Sequence, residues 1–264
     1  LYKYVLEKAA QKTNISFCTE RVLSVQSTQD SARVELENQT LTATKVFNSI
    51  LFEPANVLAH KAFDYFLWQH FKGFEIKSEA PVFNDAVATL MDFTVDQSSG
   101  TTFMYVMPTS TTTALVEYTL FTENLLADKA YTEVITAYIQ KTYGHIQYTI
   151  THQEFGQIPM TNFSFSGGAG NVINMGVAGG QVKGSSGYAF HFIQEKTKAI
   201  VADVASGKNP LRVSSFAQKK FQLYDSVLLR VLQDQKLDGA SIFTAIFSKN
   251  PPDRVFRFLN NESS

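Results

Sequence analysis

Cysteine occurs once in this chain, at Cys18. A single thiol excludes an intramolecular disulfide framework and fits a reducing, cytoplasmic setting. Charge of either sign is not in excess: 23 Lys and Arg stand against 24 Asp and Glu, a net charge of -1. With such a balance no long-range field argues for nucleic acid or a strongly charged substrate. No apolar run approaches the roughly 18 residues of a membrane-spanning helix, and no stretch reads as a signal peptide, so none is expected. His60, His70, His145, His152 and His191 lack the spacing of metal ligands. There is no G-x-S-x-G elbow and no Walker A sequence. Gly168-Ala169-Gly170 begins a G-x-G-x-x-G, but Ile173 stands where the third glycine belongs, and the run precedes a strand. No linker-like composition or internal repeat divides the chain.

Against these absences stand 22 Phe and 11 Tyr in 264 residues, enough for one or two domains. The aromatics could line a pocket for a large apolar ligand or simply fill sheets. A helical face at Val5, Leu6, Ala9 and Ala10 is followed by short strand patterns over 15–17, 21–25, 32–36 and 46–52, the last expected to be a central strand ended by Pro54. Residues 65–121 alternate in long runs, which implies a mostly antiparallel sheet with one face covered. Ala130–Tyr143 reads as an amphipathic helix stopped by Gly144. Strand patterns at 147–151 and 154–160 follow, then helices from Tyr188 to the end of the chain.

Asn171–Ile193 is the stretch around which the rest is organised. An apolar run at Val172, Ile173 and Met175 passes through Gly176, Gly179, Gly180, Gly184 and Gly187 into a helix expected from Tyr188. A strand, a glycine-rich turn and a helix N-terminus suit an anionic or nucleotide ligand, because glycine allows close backbone approach and the helix start offers free N–H groups. An ordinary strand-to-helix loop is the alternative. Glu117 lies inside an apolar strand, where an ionised carboxylate is costly to bury, so burial would raise its pKa and let it carry a proton. A wet face, or a Lys or Arg partner, is the alternative there. Glu154, between strand and turn signals, is a second acid candidate.

Five ordered blocks carry a resemblance: QHFKGFEI (69–76), ATLMDF (88–93), FMYVMPTSTTTALVEYTLF (103–121), EFGQIPMT (154–161) and NMGVAGGQVKGSSGYAF (174–190). Together with FQLYDSVLLRVL (221–232) and the closing RVFRFL, they resemble the bacterial FAD-dependent lycopene cyclases of carotenoid biosynthesis. The resemblance implies an α/β (α+β) flavoprotein: a Rossmann-like FAD-binding domain interleaved with an antiparallel substrate-binding sheet, with a helical C-terminus. On that plan residues 1–55 are the later part of the FAD domain and 56–153 the substrate sheet with its helix. Residues 154–210 are the return to the FAD domain, and 211–264 the C-terminal helices. The first βαβ unit of that domain is missing before Leu1, so the chain resembles an N-terminally incomplete cyclase, expected not to hold FAD alone.

The resemblance further implies Glu117 as the acid–base residue, and reduced FAD with NAD(P)H as reductant. It places the flavin on Gly176, Ala178, Gly179, Gly180, Lys183, Ser185, Gly187 and Tyr188. Polyene cyclisation needs a proton donor and cation-tolerant surroundings, for which Phe103, Tyr105, Tyr118 and Phe121 are the candidate pocket residues. Lycopene and other acyclic carotenoids are the expected substrates, and a C40 hydrocarbon implies peripheral contact with a membrane surface. The chain departs from the family's usual S-P-T-R at Ser110–Thr113, and from K-P-S-T-G-Y at Gly184 and Ser186. A redox flavoprotein (a hydroxylase or prenyl reductase) and a non-catalytic apolar-ligand carrier are the competing readings.

Overall fold

The computed structural model describes residues 2–52, 65–210 and 216–262; Pro54, His60 and the boundary placed between 55 and 56 lie outside them. In chain order the elements are α1 (Tyr2–Ala10), β1 (Val22–Ser27), β2 (Ala32–Leu36), β3 (Thr40–Ala43), β4 (Val46–Asn48), β5 (Phe66–Ser78), β6 (Thr89–Asp92), β7 (Thr101–Pro108), β8 (Thr113–Thr122), α2 (Asp128–Tyr143), β9 (Tyr148–Thr161), β10 (Gly168–Ala169), β11 (Val172–Asn174), a 3-10 turn (Gly176–Gly179), α3 (Phe190–Ala205), α4 (Phe216–Gln233), α5 (Gly239–Lys249) and α6 (Pro252–Leu259). Residues 15–17, read as a strand pattern, are irregular.

β1, β2 and β3 form an antiparallel meander, while β4 pairs in parallel with β11, tying the first fifty residues to the glycine turn. The expected central strand over 46–52 is instead three residues at the edge of that small sheet. Asn48 ends it: its side chain accepts from the Ile50 N–H (3.0 Å) and donates to the Ile50 carbonyl (3.1 Å). Such a side chain-to-backbone turn competes with strand continuation.

The dominant element is a five-stranded antiparallel sheet in the order β6-β7-β8-β5-β9. The β7–β8 hairpin closes where Ser110 Oγ accepts from the N–H groups of Thr112 (3.2 Å) and Thr113 (3.0 Å). β9 pairs with β5 along its whole length, with an irregularity opposite Glu75 and Ile76. The two strand patterns at 147–151 and 154–160 are therefore one strand, and residues 154–161 are part of the large sheet.

Both faces of this sheet are covered, where alternation alone implied one. Phe74, Ile76, Val106, Val116, Tyr118 and Leu120 pack against Tyr131, Ile135 and Ile139 of α2. On the other face Leu67, Phe103, Tyr105, Phe121 and Met160 meet Leu229 and Leu232 of α4 and Phe243 of α5. Each such buried side chain contributes roughly 1.5–3 kcal/mol relative to exposure.

Polar anchors fix the covering helices. Lys72 Nζ reaches from β5 to Asp128 Oδ1 (2.7 Å) and Thr132 Oγ1 (3.1 Å) at the start of α2. Beside it, the fully buried His70 lies between Tyr131 Oη (2.6 Å from Nδ1) and Thr122 Oγ1 (2.7 Å from Nε2). Tyr131 Oη accepts the Leu126 N–H and Thr122 Oγ1 donates to the Asn124 carbonyl. The network therefore assigns a neutral ring in which Tyr131 donates to Nδ1 and the Nε2 proton goes to Thr122. Burial pushes the His70 pKa down to about 4, only partly opposed by the Asn124 backbone.

At the C-terminal end, Lys183 Nζ is 2.6 Å from Asp225 Oδ1 of α4 and 2.7 Å from Asn261 Oδ1 after α6. Ser185 Oγ donates to the same Asp225 oxygen (2.7 Å), and the ammonium lies 4.8 Å from the Phe258 ring centroid. Lys183 and Asp225 are both buried, so the pair is a fixed dock between the glycine turn and the C-terminal helices.

Removing one partner of a buried pair leaves an uncompensated charge. Lys183→Met is expected to lower unfolding free energy by about 3–5 kcal/mol, whereas the exposed Lys129→Met changes it by no more than about 1 kcal/mol. Urea unfolding of the two variants checks this. His70 gives a second expectation. Unfolded histidine binds protons more tightly than folded His70, so stability is present above the ordinary histidine pKa and falls as pH drops from about 6.5 to about 4. The loss is on the order of 3 kcal/mol and levels off below that window. His70→Gln should flatten this part of the pH–stability curve.

Candidate active site

β-pairing builds the site as one row across the sheet. Tyr105 on β7 is opposite Glu117 on β8, Glu117 is opposite Gly73 on β5, and Gly73 is opposite Glu154 on β9. Gly73 has no side chain to fill the gap between the two glutamates. A Cβ placed there would lie 2.9 Å from Glu154 Oε1 and 3.0 Å from Leu115 Cδ1. Glu154 thus folds over Gly73 toward Glu117, close enough to act on that carboxyl. The neighbouring row repeats the device, with the Phe71 ring lying over Gly156.

Glu117 is partly buried in this apolar face, and Thr119 Oγ1 donates to its Oε1 (2.8 Å). Burial pushes its carboxyl up to about 7; the Thr119 hydroxyl opposes this, while the charge and hydrogen bond of Glu154 add to it. The group therefore keeps its proton up to about pH 7 and loses it above, where an ordinary carboxyl would already be ionised, as a general acid at neutral pH requires.

Phe103 and Phe121 stand edge-to-face at 5.1 Å, and Phe103 and Tyr105 at 5.3 Å, forming an aromatic wall on the Glu117 face. Tyr118 is not part of that wall. Adjacent strand residues face opposite ways, and its ring packs 6.3 Å from Tyr131 on the α2 side.

The glycine turn closes the site from above. Gly176, Gly180 and Gly187 have positive φ (59°, 68° and 69°). Gly187 N–H donates to the Lys183 carbonyl (2.9 Å) and Lys183 N–H to the Tyr188 carbonyl (2.8 Å), so residues 183–188 form a tight loop and the helix starts at Phe190, not Tyr188. This loop brings Tyr188 Oη to 3.3 Å from Tyr105 Oη. Burial, then Tyr188, then Glu117 raise the Tyr105 phenol well above its ordinary range.

The turn residues divide into two sets. Lys183 and Ser185 have their side chains engaged with Asp225, so they offer a ligand only backbone. Gly176, Ala178, Gly179 and Gly180 form the 3-10 turn and its left-handed end. At Gly187 a Cβ would overlap Gln69 Oε1. That oxygen and Ser186 Oγ are buried without a hydrogen-bond partner among the described residues. Gly187 thus lets the Gln69 amide, rather than a ligand, come close, and the two unpartnered atoms, one an acceptor and one a hydroxyl, are groups that the polar edge of a flat ligand could satisfy. Sequence reasoning missed Gly73, Gln69 and Ser186. An isolated glycine inside the QHFKGFEI strand was the available signal for Gly73, because such glycines mark close approach.

The fold is shared with solved flavin enzymes and their relatives. The chain superposes on a geranylgeranyl bacteriochlorophyll reductase-like protein from Thermoplasma acidophilum with a TM-score of 0.54 and 12% identity, covering 90% of this chain and 65% of that one. The flavin-dependent brominase Bmp2 gives 0.53 and 11%, over 98% of this chain and 69% of that one. The tetracycline destructase Tet(51) gives 0.52 and 11%, over 93% and 68%. The chain thus spans about two thirds of the length of these structures, and at such identities the likeness is one of fold. No curated protein matches it significantly in sequence. The family described as lycopene cyclase protein matches residues 1–264, and the chain belongs to that family.

Proposed function

We propose that this protein carries the acid–base machinery of a lycopene cyclase, turning the open ψ-ends of lycopene into β-rings with no net redox change. The observation that carries the reading is a single feature: Glu117, a carboxyl held protonated near neutral pH, set in the aromatic face of Phe103, Tyr105 and Phe121. Cyclisation begins when a proton is added to a terminal double bond, and Glu117 O–H is the donor. The resulting tertiary cation lies against ring faces whose negative quadrupole favours it. Helices α4 and α5 cover Phe103, Tyr105 and Phe121, which limits water where the cation would lie against those rings and so disfavours its capture as an alcohol.

The cofactor of this reading is FAD, held in its reduced state by electrons from NAD(P)H. The orphaned Gln69 Oε1 and Ser186 Oγ, the Gly187 backbone and the Tyr188 hydroxyl are the groups that would hold its ring, with the backbone of Gly176–Gly180 beside it. When bound, an electron-rich reduced flavin supplies electrostatic stabilisation to the cation. The substrate's apolar nature supports peripheral attachment to a membrane. Among the described residues no helix is long and apolar enough to cross one. Leu223, Tyr224 and Val227 do expose an apolar stripe on α4. The fold shared with a flavin-dependent brominase supports a second reading, a redox enzyme, which would consume NAD(P)H in proportion to product.

Pigment analysis in lycopene-accumulating cells expressing the full-length protein tests the proposal. Wild type is expected to yield monocyclic or bicyclic β-ring products, and Glu117→Gln to lower that yield by about 100-fold or more. Persistent lycopene with wild type, or undiminished rings with Glu117→Gln, would contradict it. Because the acid must be protonated, the rate should fall as pH rises through about 7, by about tenfold per pH unit beyond it.

A further inference from the structure

Ring closure needs a proton removed as well as one delivered, and the sheet supplies a second carboxyl for it. We infer, resting on the cyclase reading above, that Glu154 is the catalytic base that completes β-ring formation, and that Gly73 is the positioning residue that lets it work beside Glu117. The argument is geometric. Register places Gly73 between the two glutamates on the Glu117 face. The missing side chain there leaves the space that Glu154 Oε1 occupies, 2.9 Å from where a Cβ would be. Glu154 lies over Gly73, which register places beside Glu117, and its carboxyl acts on the Glu117 proton, so the pair is arranged for a proton to be returned from one carboxyl to the other. The remaining titratable groups near the pair are Tyr105 on β7, Tyr188 in the turn, and Glu75 opposite His152 one row outward.

The proton count closes with two carboxyls. Glu117 O–H adds its proton to the terminal double bond, whose electron pair forms the new C–H bond and leaves a tertiary cation. The neighbouring double bond attacks that cation, forms the ring C–C bond and moves the positive charge to a ring carbon. Glu154 carboxylate then takes the proton from the adjacent ring carbon, and the electrons of that C–H bond become the ring double bond. Glu117 ends ionised and Glu154 protonated; transfer from Glu154 to Glu117 restores the starting state. No oxidant or reductant is consumed.

Two carboxyls that divide the work behave differently when each is removed. The test uses the full-length enzyme with reduced FAD and lycopene in heavy water, following both ring products and deuterium in recovered lycopene. Glu117→Gln should abolish both. Glu154→Gln should lower β-ring formation by about 100-fold yet still exchange deuterium into the terminal double bond, because protonation remains and the cation reverts. Glu154→Asp should recover part of the ring formation. Gly73→Ala, whose φ requires no glycine, should resemble Glu154→Gln in kind with a smaller loss. In Glu154→Gln the descending pH limb of the exchange should also move to lower pH, since the neighbouring negative charge is gone. Wild-type ring formation by Glu154→Gln would overturn the inference, as would joint loss of rings and exchange in Glu154→Gln when that variant unfolds like wild type. Absence of rings with wild type itself would overturn the cyclase reading together with this one, and so is distinguishable from failure of Glu154 alone.

Discussion

The close approach of two carboxyl groups over a glycine is the constraint on which the rest of this structure depends. A carboxylate beside another carboxylate in an apolar face is unstable unless a proton is shared, and the cost rises as water is removed. The sheet imposes that approach through register: Glu117, Gly73 and Glu154 stand in one row on three neighbouring strands. Covered faces make the approach matter. With α4 and α5 packed on Phe103, Tyr105 and Phe121 and α2 on the opposite face, the partly buried carboxyl pair adjoins an apolar aromatic surface.

Holding the covering helices in place is the work of polar groups that take no part in the chemistry. The Lys183–Asp225 pair joins the glycine turn to α4, and Asn261 extends the contact beyond α6. His70, Tyr131 and Thr122 secure α2 to the opposite face. His70, Lys183 and Asp225 are buried in these clusters, so breaking either one leaves a polar or charged group without its partner in the interior. A consequence for the turn is that two of its polar residues face away from any ligand. Recognition there falls to backbone, to Tyr188, and to the unpartnered atoms of Gln69 and Ser186.

Much of this was legible in the chain. Period-two runs located β5, β7 and β8, and the same alternation placed Glu117 with Leu115, Thr119 and Phe121, opposite Tyr118. That rule already separated Tyr118 from the aromatic wall, although its position in the motif grouped it with the pocket. Local competition hid other features. Asn48 truncates β4 by bonding its own downstream backbone, and the loop at Lys183–Tyr188 delays the helix by two residues, to Phe190. The partner of Glu117 was out of reach for a different reason. Glu154 is 37 positions away, and only three-strand register shows that both flank Gly73.

The most direct measurement is a pH titration of the Glu117 carboxyl itself, by infrared difference spectroscopy with carbon-13-labelled glutamate, assigned by loss of the signal in Glu117→Gln. The account predicts a protonated carboxyl that ionises near pH 7. Ionisation near the ordinary value of 4.5 would show that the site holds a solvated carboxylate, and would contradict the account.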